Sequence, residues 1–85
     1  MHRILLRPSA QKFLCKLRDK TLAVRLVAAM RGLASDPRPP GCEKLAGMES
    51  LYRIRVGDYR IVYQIQDEVL LVLVVKIGHR REVYR

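Results

Sequence analysis

The sequence predicts an α+β fold: an N-terminal strand, a two-helix hairpin, then an antiparallel sheet of three to four strands with the helices on one face. Three observations carry that prediction. From Leu51 to Ile65, apolar and polar residues alternate with period two on either side of Gly57-Asp58. From Ala10 to Leu33, apolar residues recur at helical spacing, while Val69 to Val75 is an unbroken apolar run. The 85 residues are expected to form one domain, 1–85, with enough apolar content for a single core and none to spare.

The first element, Met1 to Arg7, reads as a strand; its apolar run is too short for a signal peptide and Pro8 follows at once. Ser9 is the expected N-cap of the first helix, whose inward positions are Ala10, Phe13, Leu14 and Leu17. Ser9 to Lys12 also matches an S-x-x-K pattern, but the companion motifs of serine acyl-enzymes are absent and the match is chance. Asp19 and Thr21 can break and re-cap the chain. A second helix then runs to about Leu33 with the stripe Leu22, Leu26, Ala29, Met30 and Leu33. Three prolines among Pro37 to Pro40 end it, because proline supplies no N–H and biases its predecessor away from the α region.

The hairpin that follows places Gly57-Asp58 in a two-residue loop, where glycine accepts positive φ without steric cost. That loop sets the register: Val56 opposite Tyr59, Arg55 opposite Arg60, Ile54 opposite Ile61 and Arg53 opposite Val62. One face is then apolar and aromatic and packs on the helices. The other carries Arg53, Arg55 and Arg60. Val69 to Val75 reads as a central strand buried on both faces, Gly78 ends it, and Glu82 to Arg85 forms a possible last strand.

Directly opposed arginines in an antiparallel pair repel by on the order of 1 kcal/mol in water at about 5 Å. A solvated outer face would tolerate this by splaying the side chains. A partner dense in negative charge would turn the repulsion into affinity, since arginine forks match phosphate oxygens. The formal charge of +9 favours the second reading, through nucleic acid or an acidic protein. Cys15 and Cys42 fit neither a metal spacing nor a disulfide framework, so a reduced cytoplasmic setting without metal or cofactor is expected. The tail His79-Arg80-Arg81-Glu82-Val83-Tyr84 adds an aromatic ring among arginines, a nucleic-acid constellation in miniature.

Lys44 to Gly47, Leu51 to Arg55, Gly57 to Tyr63 and the ending Ile77 to Tyr84 together resemble the RelE toxins of type II toxin–antitoxin systems, within the RelE/ParE superfamily. The likeness covers the chain in element order and is residue-specific from Lys44 onward. It implies a ribosome-dependent endoribonuclease that cuts messenger RNA without metal, the 2′-hydroxyl attacking the adjacent phosphate to leave a cyclic phosphate and a 5′-hydroxyl. It also implies an acidic, RelB-like antitoxin, with operator DNA bound only through the toxin–antitoxin complex, and no membrane association.

By the same resemblance Arg53 and Arg55 stand where lysines stand in the well-known family member. Arg60 matches the phosphate-binding arginine, Arg80 the tail arginine proposed as leaving-group acid, and Tyr84 the tyrosine that stacks on the base; Arg81 lies beside them as an RNA contact. Arginine keeps its proton to above about pH 12, so Arg55 stabilises charge but accepts no proton. His79 is then the side chain of this constellation that ordinarily titrates near neutrality, either a base at the site's edge or a solvated turn residue. Two alternatives stand beside this reading: a ParE-like inhibitor of DNA gyrase without nuclease chemistry, and a catalytically weak relic kept as its antitoxin's partner.

Overall fold

A computed structural model describes residues 1–45, 47 and 50–79. The elements run β1 (Arg3–Leu6), α1 (Pro8–Lys16), α2 (Lys20–Ser35), β2 (Glu43–Lys44), β3 (Leu51–Val56), β4 (Tyr59–Gln66), a 3-10 turn (Asp67–Val69) and β5 (Leu71–His79). Among the described residues the sheet has five strands in the order β1-β5-β4-β3-β2. All pairings are antiparallel except β1 with β5, which is parallel. The expected α+β architecture is present, with two differences. The sheet is mixed because the helices carry the chain from β1 to the opposite edge, from which β2 to β5 run back antiparallel until β5 lies parallel beside β1. Glu43–Lys44 adds a short edge strand that the pattern of so few residues does not announce.

The β3–β4 register is the one expected, from Leu51↔Gln64 to Val56↔Tyr59, with Gly57 at φ 60° opening the loop. The apolar hairpin face does turn to the helices. Ile54, Val56, Ile61, Tyr63 and Ile65 form one core with Leu26, Met30 and Leu33 of α2, Ala10 of α1, and Val72, Val74 and Ile77 of β5. Each such side chain contributes roughly 1.5–3 kcal/mol relative to exposure. Val72 and Val74 are fully buried, whereas Leu71, Leu73 and Val75 are half-buried and Val69 lies exposed in the 3-10 turn. The apolar run is therefore buried on its helix side only, a correction to the expectation of a strand covered on both faces.

The helix starts are set differently. Pro8 occupies the first turn of α1, where its missing N–H costs nothing, and the N-cap is Arg7 with no side-chain bond. Ser9 does not cap. Its hydroxyl donates to the Val75 carbonyl at 2.9 Å. Val62 pairs with Lys76 and Tyr63 with Val74, which leaves Val75 as the extra residue of a β-bulge. Asp19 caps α2 as expected, accepting from the Leu22 N–H at 3.0 Å.

Loop 36–42 is tied down from three sides. The Tyr63 hydroxyl donates to the Pro37 carbonyl at 2.7 Å, and burial pushes that phenol's pKa above its ordinary range. Arg38 lies over the Tyr52 ring at 5.3 Å and donates to the Tyr52 hydroxyl and to Asp67 at 2.9 Å. His2 closes the set on the second Asp67 oxygen at 3.0 Å. This loop carries the chain from α2 to the edge of the sheet where the arginines lie.

Candidate nucleic-acid interface

The ladder decides which side chains share a face. Arg55 sits directly opposite Arg60, Arg53 lies two residues before Arg55 on the same side, and Glu43 of β2 is paired with Arg53. Across β5 the neighbour of Arg60 is Gly78, which brings no side chain to that face. Four charged groups from three strands thus converge on the side of the sheet away from the helices. Beyond Arg53 the edge of β3 has no further strand among the described residues, because β2 pairs only with Tyr52 and Arg53. A cleft of about 470 Å³ opens at that edge, lined by Glu43, Arg53, Arg55 and Arg60, with Gly32 of α2 and Pro40 of the loop opposite them.

The arginines differ in setting. Arg55 is exposed, Arg53 is half-buried, and Arg60 is 8% exposed and buried. A cation shielded to that degree acts on a nearby anion more strongly than one in open solvent, because the effective dielectric is lower. Glu43 reports the field they produce together. Its carboxylate accepts from Arg53 Nη2 at 2.6 Å. Arg53 holds its pKa below the ordinary carboxylate value, chiefly through that hydrogen bond, and the charges of Arg55 and Arg60 add in the same direction. Arg38 is a contrasting case, since its guanidinium is spent on Tyr52 and Asp67, whose hydrogen bonds raise its pKa.

Arg53, Arg55 and Arg60 are therefore brought together as the sequence led us to expect. His79 is not brought to them. It pairs with Tyr59, and its ring packs edge-on against the Tyr59 ring at 5.5 Å, in a row that continues to Phe13 of α1. That row belongs to the helix side of the sheet. Arg80, Arg81 and Tyr84, and the possible strand from Glu82, lie outside the described residues. The residue that sequence reading missed is Glu43. Its signal was present: it is the single acid between Asp36 and Glu49, entering the hairpin ahead of three arginines. Among the described residues no three His, Cys, Asp or Glu side chains are grouped to hold a metal ion. Among the same residues no helix is long and apolar enough to cross a membrane.

Two helices on one face of a mixed sheet, with Arg53, Arg55 and Arg60 gathered on the other, define a small cationic α+β protein. The family model described as the ParE toxin of the type II toxin–antitoxin system, parDE, matches residues 4–84, and the chain belongs to this family, a toxin of the RelE/ParE superfamily. Its sequence is 30% identical to Toxin RelG of Mycobacterium tuberculosis over 77 residues, covering 91% of this chain and 88% of RelG. Its fold matches the isolated E. coli RelE toxin with a TM-score of 0.81 at 32% identity, over 99% of this chain and 92% of that one. RelE in the intact E. coli RelBE toxin–antitoxin complex matches with a TM-score of 0.80 at 30% identity, over 93% and 96% of the two chains.

Proposed function

We propose that this toxin is a metal-independent endoribonuclease that cuts messenger RNA on the ribosome. The observation that carries the reading is the convergence of Arg53, Arg55 and Arg60 on the lining of one cleft, Arg60 being buried. Cleavage by an internal 2′-hydroxyl makes few demands: in-line geometry, removal of the 2′-proton, stabilisation of charge on the phosphate, and protonation of the departing 5′-oxygen. Arg60 and Arg55 suit the third demand, because charge grows on the non-bridging oxygens as the phosphorane forms. Arg53 orients the neighbouring phosphate. In this reading Arg80 assists the leaving oxygen, Tyr84 stacks on the base and Arg81 adds an RNA contact. The ribosome orders the strand, and water or ribosomal RNA takes the proton.

The partners follow from the same reading. An acidic antitoxin of the RelB kind neutralises the toxin in the cytoplasm, and operator DNA is reached through that complex. Support comes from the solved E. coli RelBE complex and from the +9 charge of this chain. The decisive experiment is induction without antitoxin, followed by mapping of messenger RNA ends with and without ribosomes. New 5′-hydroxyl ends on translated messages alone are expected, and Arg60→Ala should lower cleavage by about 10²–10³-fold. A second reading rests on the family model, whose description is the ParE toxin. If DNA supercoiling fails while translation and message ends stay intact, the protein acts on gyrase instead.

A further inference from the structure

The ion pair between Glu43 and Arg53 is built by the backbone rather than left to chance. β2 is two residues long, and one of its two ladder positions sets Glu43 directly across from Arg53, on the arginine side of the sheet. The carboxylate side chain is 61% exposed while that of Arg53 is 23% exposed, so a largely solvated anion is paired with a more enclosed cation. It is also the anion on which Arg55 and Arg60 act at the same time. We propose that Glu43 is the resident counter-anion of this arginine cluster, which an RNA phosphate must displace from Arg53 before the site can engage its substrate.

The exchange is chemically matched. A phosphodiester and a carboxylate each carry one negative charge, and each offers two oxygens to a guanidinium fork. A pair exposed to this degree is worth little on its own, which makes it replaceable. Its effect is a threshold. A stray, mobile polyanion gains only the small difference between two similar contacts at Arg53. A strand already ordered with its phosphates facing all of the arginines overcomes the competitor and leaves Glu43 to solvent. The inference rests on the RNA reading above and adds to it a residue that sets affinity without joining the chemistry.

The test measures binding separately from cleavage. Wild type, Glu43→Gln, Glu68→Gln and Arg60→Ala are titrated into a fluorescently labelled single-stranded all-2′-deoxy oligonucleotide, which lacks the attacking hydroxyl. Glu43→Gln should bind about five- to tenfold more tightly at low salt, from removal of one opposing charge within contact range. The gain should shrink as salt rises. Glu68→Gln, which makes the same net-charge change in the distant 3-10 turn, should bind as wild type. An unchanged or weakened Glu43→Gln, or an equal gain from Glu68→Gln, overturns the inference. Unchanged binding with lost cleavage also overturns it and makes Glu43 a proton acceptor. Oligonucleotide binding that ignores Arg60→Ala sinks the RNA reading itself. Arg60-dependent binding that is blind to Glu43 sinks the counter-anion role alone.

Discussion

At the scale of single residues, the face of the sheet on which a side chain emerges decides its chemistry. His79 and Arg60 illustrate this. In the sequence, His79 stands as a candidate base or a solvated turn residue beside Arg80 and Arg81, histidine being the residue type that ordinarily changes charge near neutrality. The ladder assigns it to Tyr59 on the helix side, while Arg60 emerges on the other side next to Arg55. We therefore expect His79→Ala to leave the pH dependence of single-turnover cleavage on programmed ribosomes unchanged between about pH 6 and 7. Its cost should fall on stability, at about 0.5–1.5 kcal/mol, the worth of a packed ring pair. A rise in rate through that pH range that disappears in the mutant would return His79 to the site. The arginine side was legible from the sequence because one two-residue turn fixes every pairing in the hairpin. Glu43 stood out as a lone acid ahead of the arginines, but its pairing with Arg53 did not, because that depends on a two-residue strand whose partner lies beyond residues 46–50.

At the scale of elements, the joints of the fold were harder to read than its elements. Alternation gave β3 and β4, and helical spacing gave the buried stripe of α2. Neither pattern says that β1 lies parallel beside β5, since that pairing joins residues nearly 70 apart and leaves no local mark. Ser9 shows the same difficulty in one side chain. A serine ahead of an apolar helical pattern is the ordinary sign of an N-cap, yet here Pro8 starts the helix and the hydroxyl serves the bulge carbonyl of Val75. The two roles predict opposite substitution patterns. A cap accepts a hydrogen bond, so Ser9→Asp would preserve it. A bulge contact donates one, so Ser9→Thr should be tolerated while Ser9→Asp sets a carboxylate against a carbonyl. We expect Ser9→Ala to cost about 0.5–1.5 kcal/mol in urea unfolding, Ser9→Asp more, and Ser9→Thr little. Rescue by aspartate would restore the capping role.

At the scale of the whole molecule, 17 basic side chains face 8 acidic ones, so each acid carries more than its share of the electrostatics. Asp67 joins the start of β1 to loop 36–42 through His2 and Arg38. The hydrogen bond from Arg38, then that from His2, lowers its pKa below the ordinary carboxylate range. A carboxylate with a depressed folded-state pKa stabilises fully above its unfolded value, and that contribution is lost as pH falls through the folded one. Acid unfolding should therefore steepen below about pH 4, and Asp67→Asn should remove part of that dependence while lowering the plateau at neutral pH. Equal acid profiles for mutant and wild type would show the link to be without effect. The same excess of positive charge governs binding. Single-stranded RNA held by Arg53, Arg55, Arg60 and Arg80 should lose affinity with salt at a log–log slope of roughly −3, from about −0.7 per neutralised phosphate. Arg60→Ala should flatten the slope by about 0.7, the share of one contact, whereas removal of a helix cation such as Arg31, which projects to solvent from α2, should leave it in place. A slope that falls equally for both substitutions would mean that RNA feels only the net charge, and that the converging arginines have no privileged contact with it.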